Sequence, residues 1–135
     1  MKKYLLFLIT FLLLTGCAVS LEDEKCDAYL ENAIVALEGK DTDAFVDLFW
    51  EKALEENSRE DMEIAIGDMI SMWQGHVVSY EMQSKTVKRR IDFKTYIQCV
   101  YKVTTTEAEY NVTIIRVEGT AGLDEMAWFN LQRNL

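Results

Sequence analysis

The 135-residue chain contains no proline, one histidine, three cysteines and no apolar run long enough to cross a bilayer. Each shortage removes a class of reading. Without proline there is no rigid spacer between domains, and no Ser-rich or repetitive stretch replaces one. The single histidine, His76, cannot supply the several converging donors a metal site takes, and no Cys, Asp or Glu spacing beside it completes one. The chain holds no serine elbow, P-loop, GxGxxG or HExxH run. Basic residues are in the minority, 14 against 23 acidic, for a net charge of −9. That balance argues against nucleic acid as a partner, and against broad electrostatic adhesion to an anionic membrane. No catalytic residue, cofactor or metal ligand is therefore assigned from the sequence.

What is present begins at the N-terminus. Met1-Lys2-Lys3 is a short positive segment, and Tyr4 to Leu14 is unbroken apolar chain. This run is shorter than the ~20 residues a spanning helix needs, but it has the length of a signal-peptide core. Leu14-Thr15-Gly16-Cys17 follows and resembles the lipobox of bacterial lipoproteins. In that class the cysteine thiol takes a diacylglyceryl group, cleavage falls before the cysteine, and Cys17 becomes the first residue. The expectation is a signal peptide over 1–16, a lipidated Cys17 with a short tether over 17–22, and one domain over 23–135. Two or more acyl chains make a stable anchor, whereas a single chain is marginal. Such a protein would sit on the extracytoplasmic face of the cell membrane, with the membrane as a partner through its lipid. The linker, Ala18 to about Glu22, spans at most about 18 Å even when fully extended.

The domain divides by period. Cys26, Tyr29, Leu30, Ala33, Ile34 and Leu37 recur at helical steps over Asp23 to Glu38, with Gly39 suited to a left-handed cap. A second helix starts near Asp41 or Thr42 and carries Phe45, Leu48, Phe49 and Ala53 inward, with Trp50 at the stripe's edge. A third opens at Ser58-Arg59-Glu60-Asp61 and buries Met62, Ala65, Ile66, Met69 and Trp73, ending at Gly75. The acidic excess lies here: residues 18–75 hold 16 acids and 4 bases. They read as solvated helix faces, including Asp43 and Asp47, one turn apart.

From His76 the period becomes two. The first strand, His76 to Lys88, presents Val78, Tyr80 and Met82 on one face, with Lys88-Arg89-Arg90 at or near a turn. Phe93, Thr95, Ile97, Cys99, Tyr101 and Val103 alternate with polar residues in the second. Tyr110, Val112 and Ile114 mark the third. Glu118 to Gly122 is a turn, and Asp124 to Arg133 a last strand with Ala127, Phe129 and Leu131 opposite Met126, Trp128 and Asn130. Short connections favour antiparallel neighbours. The fold class is α+β, with three N-terminal helices packed on a curved antiparallel sheet of about four strands.

This order resembles the cystatin-like, nuclear-transport-factor-2-like cone fold. Several runs also resemble an uncharacterised family of small lipoproteins from Gram-positive bacteria, a domain of unknown function. The runs are Asp43-Ala44-Phe45, Leu48-Phe49, Lys52-Ala53-Leu54, Gly75 to Tyr80, Tyr101 to Thr105, Glu109-Tyr110 and Gly122-Leu123. Where that family often has a small polar hairpin after its first strand, this chain has Thr86-Val87-Lys88-Arg89-Arg90. The resemblance implies a fold and an extracytoplasmic location, and no activity. Cones of this kind often enclose a pocket, which Tyr29, Phe45, Phe49, Trp73, Tyr80, Tyr101 and Trp128 could line; aromatics at these periods are also ordinary core. Cys26 and Cys99 fall on core faces and could form a disulfide or stand as two buried thiols. Two functions follow: a non-enzymatic binding or interaction module for an envelope protein or small ligand, or a small-molecule-binding, isomerase-like cone.

Overall fold

Asp23 opens the first helix, α1 (Glu24–Glu38), by capping it. Its Oδ1 accepts from the backbone N–H groups of Lys25 and Cys26, two of the donors a helix start leaves unpaired. The structure, a computed structural model, describes residues 23–49, 51–118 and 124–135. The expected signal peptide, Cys17 and its tether, Trp50 and the Gly122-Leu123 segment lie outside those residues. No described helix is long and apolar enough to cross a membrane.

The face of α1 that carries Cys26, Leu30, Ala33, Ile34 and Leu37 is buried, with Tyr29 half-buried beside it. The helix does not end on a left-handed glycine. Gly39 keeps a right-handed φ of −78°, and Lys40 takes the positive φ of 53°. The next stretch corrects the expectation of three helices. Helix α2 (Thr42–Val46), capped by Asp41 through Ala44 N–H, stops after five residues, and α3 (Glu51–Glu56) follows as a separate element. The chain turns at Asp47-Leu48 so that Phe49 forms an isolated bridge with Met126. Helix α4 (Arg59–Met72) is capped as expected by Ser58, whose Oγ accepts from Asp61 N–H. It lies at the edge of the core. Ile66 is its one buried residue, Met62 and Met69 are half-buried, and Ala65 is exposed.

Four strands follow, β1 (Val77–Ile91), β2 (Lys94–Thr105), β3 (Glu109–Glu118) and β4 (Asp124–Arg133), paired in that order and antiparallel throughout. Ile97, Cys99, Tyr101 and Val103 of β2 face the helices beside Tyr110, Val112 and Ile114 of β3 and Phe129 and Leu131 of β4. Fully burying each large apolar side chain stabilises the fold by ~1.5–3 kcal/mol. Of four register shifts among the described strand pairs, two overturn an expected face. A register shift between Val77 and Ser79 leaves Val78 exposed rather than inward with Tyr80 and Met82. A second, where Ile115 and Arg116 pair with Trp128 and Met126, turns Met126 inward on the same side as Phe129. The basic run Lys88-Arg89-Arg90 is strand and lies near the turn rather than at it. β1 continues past it, and the reversal falls at Asp92-Phe93, both at positive φ (50° and 62°) as in a type I′ hairpin. Phe93, expected inward, is 91% exposed at the apex.

The α4–β1 junction is tied to the β2–β3 hairpin. Tyr110 Oη donates to the Met72 carbonyl and accepts from Gln74 N–H, and Thr105 Oγ1 donates to the Gln74 carbonyl. Gly75 lies between them at φ 83°, with Thr106 Oγ1 only 2.6 Å from where a Cβ would stand. The position therefore requires glycine for both conformation and space.

Candidate functional site

The acids of α1 are only in part a solvated face: Glu24 and Glu31 are exposed, whereas Asp23 is buried and Asp27 and Glu38 are half-buried. Asp23, Asp27, Glu31 and Glu38 lie along one side of the helix, spaced by four, four and seven residues. Each carboxylate meets a donor on the sheet or its approach. Arg116 of β3 donates to Asp23 Oδ2 from Nε at 2.9 Å and Nη2 at 2.7 Å. Tyr101 Oη donates to Asp27 at 2.6 Å, Tyr80 Oη to Glu31 at 2.6 Å, and Val77 N–H to Glu38 at 2.7 Å. The helix thus runs antiparallel to β1, from Lys85 at its start to Val77 at its end.

The Asp23 end is the most enclosed. Asp23 and Arg116 are both buried, Lys85 Nζ lies 3.6 Å from the same Asp23 oxygen, and Arg116 Nη1 donates to Glu118. Burial alone would raise the Asp23 carboxyl. The Arg116 guanidinium outweighs that and holds it below the ordinary carboxylate range. Beside it Cys26 and Cys99 meet as a disulfide, with Cα atoms 6.6 Å apart. Asp23 and the two sulfurs have the proximity of a metal cluster. The chemistry of the donors opposes that use: the sulfurs are bonded to each other and the carboxylate already holds a guanidinium. At the next turns the carboxylates hold their phenols neutral. Its hydrogen bond to Glu31 pushes Tyr80 up to about 12, and burial with the Asp27 bond raises Tyr101 further. These groups are matched donor to acceptor. They hold helix to sheet, and no acid–base pair among them is free to serve a substrate.

The seven aromatics expected around a pocket separate. Phe45 and Tyr101 are fully buried and Trp73 nearly so, with Phe45 edge-on to Phe129 and Trp73 stacked on Tyr110. They fill the space between the layers. Tyr29 and Tyr80 are half-buried along α1. Phe49 and Trp128 alone reach a hollow, an apolar groove of about 210 Å³ between α3, α4 and β4 that Met62, Met69 and Ala53 also line. Trp128 is 55% exposed there. Two wider depressions are open to solvent. One, of about 640 Å³, lies among Gly39–Asp43, Glu60, Glu63 and Ile64; the other, of about 350 Å³, lies between α1 and α2. Asp41, which lines both, caps α2, and Asp43 and Glu63 of the first approach Arg59 at 3.5 and 3.2 Å. His76 is a surface residue 3.6 Å from Glu38.

The sequence did not flag Arg116. Its signal was parity, because it continues the inward series Tyr110, Val112, Ile114. A lone arginine at a core position of a strand implies a buried carboxylate.

Helices followed by a four-stranded antiparallel meander define a small α+β domain. The chain belongs to the family described as a domain of unknown function, DUF5104, which matches residues 32–124. The match takes in Cys99, Arg116 and α4. Asp23, Cys26, Asp27 and Glu31 precede it, and Trp128 follows it. No curated protein matches the chain.

Proposed function

We propose that the protein is a lipid-anchored lipoprotein of the extracytoplasmic membrane face whose domain is a non-enzymatic binding module with a cystatin-like, nuclear-transport-factor-2-like architecture. The anchor rests on the run from Lys2 to Cys17. The observation that carries the binding role is the apolar groove at Trp128, a large aromatic left half in solvent beside Phe49, Met62 and Met69. An exposed aromatic rimmed by methionines suits an apolar side chain of a partner protein.

The isomerase-like alternative has less support. The groove's volume of about 210 Å³ is below the roughly 300–1,000 Å³ of ordinary ligand pockets. Its polar residues, Asn57 and Asp61, are exposed, and Asn57 Nδ2 donates to the Ala53 carbonyl. A photo-crosslinking residue in place of Trp128 in the full chain, irradiated in its own envelope, tests the assignment. A discrete adduct, absent with the crosslinker at Val35 and lost on Met69→Glu with an unchanged melting temperature, is expected. Equal labelling from both positions, or a small molecule found in the groove, would contradict it.

A further inference from the structure

We infer that the β1–β2 hairpin is a second membrane contact, its Phe93 apex entering an anionic phospholipid surface. The inference rests on the lipid-anchor reading and adds a site to it. Residues 88–94 hold Lys88, Arg89, Arg90 and Lys94 against one acid, Asp92, in a chain of net charge −9. Residues 86–90 are all exposed. Arg89 lies over the Tyr96 ring, its guanidinium 5.6 Å from the centroid. The nearest described acid on β3, Glu118, is held by Arg116. At the apex Phe93 combines a left-handed backbone with 91% exposure, a conformation bulky residues seldom take and a surface position that folding does not reward. Val87, 53% exposed, adds a second apolar side chain beside the cations. Basic side chains around an exposed aromatic match the interface of an anionic bilayer, where charge and an aromatic ring are both favourable.

The anchor's position makes the bilayer the fitting occupant. The described chain begins at Asp23, beside Lys85 of β1. From Lys85, β1 runs on for six residues to Ile91, about 20 Å of strand beyond the start of α1. Cys17 precedes Asp23 by six residues, which also reach at most about 20 Å. The apex and the lipidated residue can therefore meet one plane. A single tether leaves a domain free to rotate; a second contact fixes which face looks away from the membrane. Each basic side chain near such a surface adds attraction that salt screens.

The test uses the full chain, extracted from its membrane and reconstituted into phosphatidylcholine vesicles with and without phosphatidylglycerol, with brominated acyl chains as quenchers. Phe93→Trp is compared with the parent chain, whose tryptophans set the background. The emission added by Phe93→Trp should be quenched at least about twofold more strongly with phosphatidylglycerol present, and should lose that excess in high salt or when Lys88, Arg89 and Arg90 are all changed to Gln. A chain that floats with the vesicles without added quenching overturns the hairpin contact and leaves the anchor standing. A chain that does not float overturns both. Shielding of the reporter by soluble poly(glycerol phosphate), with no bromine quenching, overturns the bilayer assignment and gives the apex to an anionic polymer.

Discussion

Asp23 and Arg116 stand 93 residues apart in sequence and share two hydrogen bonds, at 2.9 and 2.7 Å, with both side chains buried. The pair fastens the cap of α1 to β3.

Removing one partner leaves the other charge buried and unpaired, which costs about 3–5 kcal/mol. Arg116→Ala and Asp23→Ala should each lower the unfolding free energy by that order in urea titrations. Replacing both with apolar residues, Asp23→Leu with Arg116→Met, should cost less than either alone. Additive losses in the double variant would show that the two residues act separately.

The depressed Asp23 carboxyl fixes the sign of an acid dependence. Its stabilisation is complete above the unfolded value of about 3.9 and is lost as pH falls through the lower folded value. Unfolding followed by tryptophan emission should therefore show stability falling below about pH 4. The Asp23→Asn chain should be weaker at neutral pH and show a shallower acid slope. An unchanged slope would mean that other carboxyls govern acid unfolding.

The disulfide closes a long loop, its cysteines 73 residues apart. The chain-entropy argument gives about 4 kcal/mol for a bridge of that span. Dithiothreitol, or Cys26→Ala with Cys99→Ala, should lower stability by roughly that amount. Intact mass before and after alkylation should show both thiols blocked in the native protein. Two alkylatable thiols without reduction would contradict the pairing.

The buried side of α1 and the inward alternation of β2 and β3 were legible, because each is set by a local period. Asp27 reads as solvated, and the partner of the exposed Glu31 is hidden, because helical spacing reveals a shared face but not what lies opposite. Tyr101 and Tyr80 arrive there from more than forty residues away. Phe45, Leu48, Phe49 and Ala53 fit one helical stripe, yet the chain breaks there to let Phe49 meet Met126, a long-range bridge that periodicity does not encode. Val78 and Met126 were misplaced by register shifts, each of which turns a face over. The groove is half legible: Phe49 and Trp128 reach it, but five other aromatics sharing their periods fill core or border α1.

The central claim is that Cys17 carries the lipid that sets where this domain acts. Intact mass spectrometry of the protein taken from membranes tests it most directly. The account predicts a chain beginning at Cys17 with the added mass of a diacylglyceryl group on its thiol. A chain that keeps residues 1–16, or begins elsewhere with an unmodified Cys17, would contradict it.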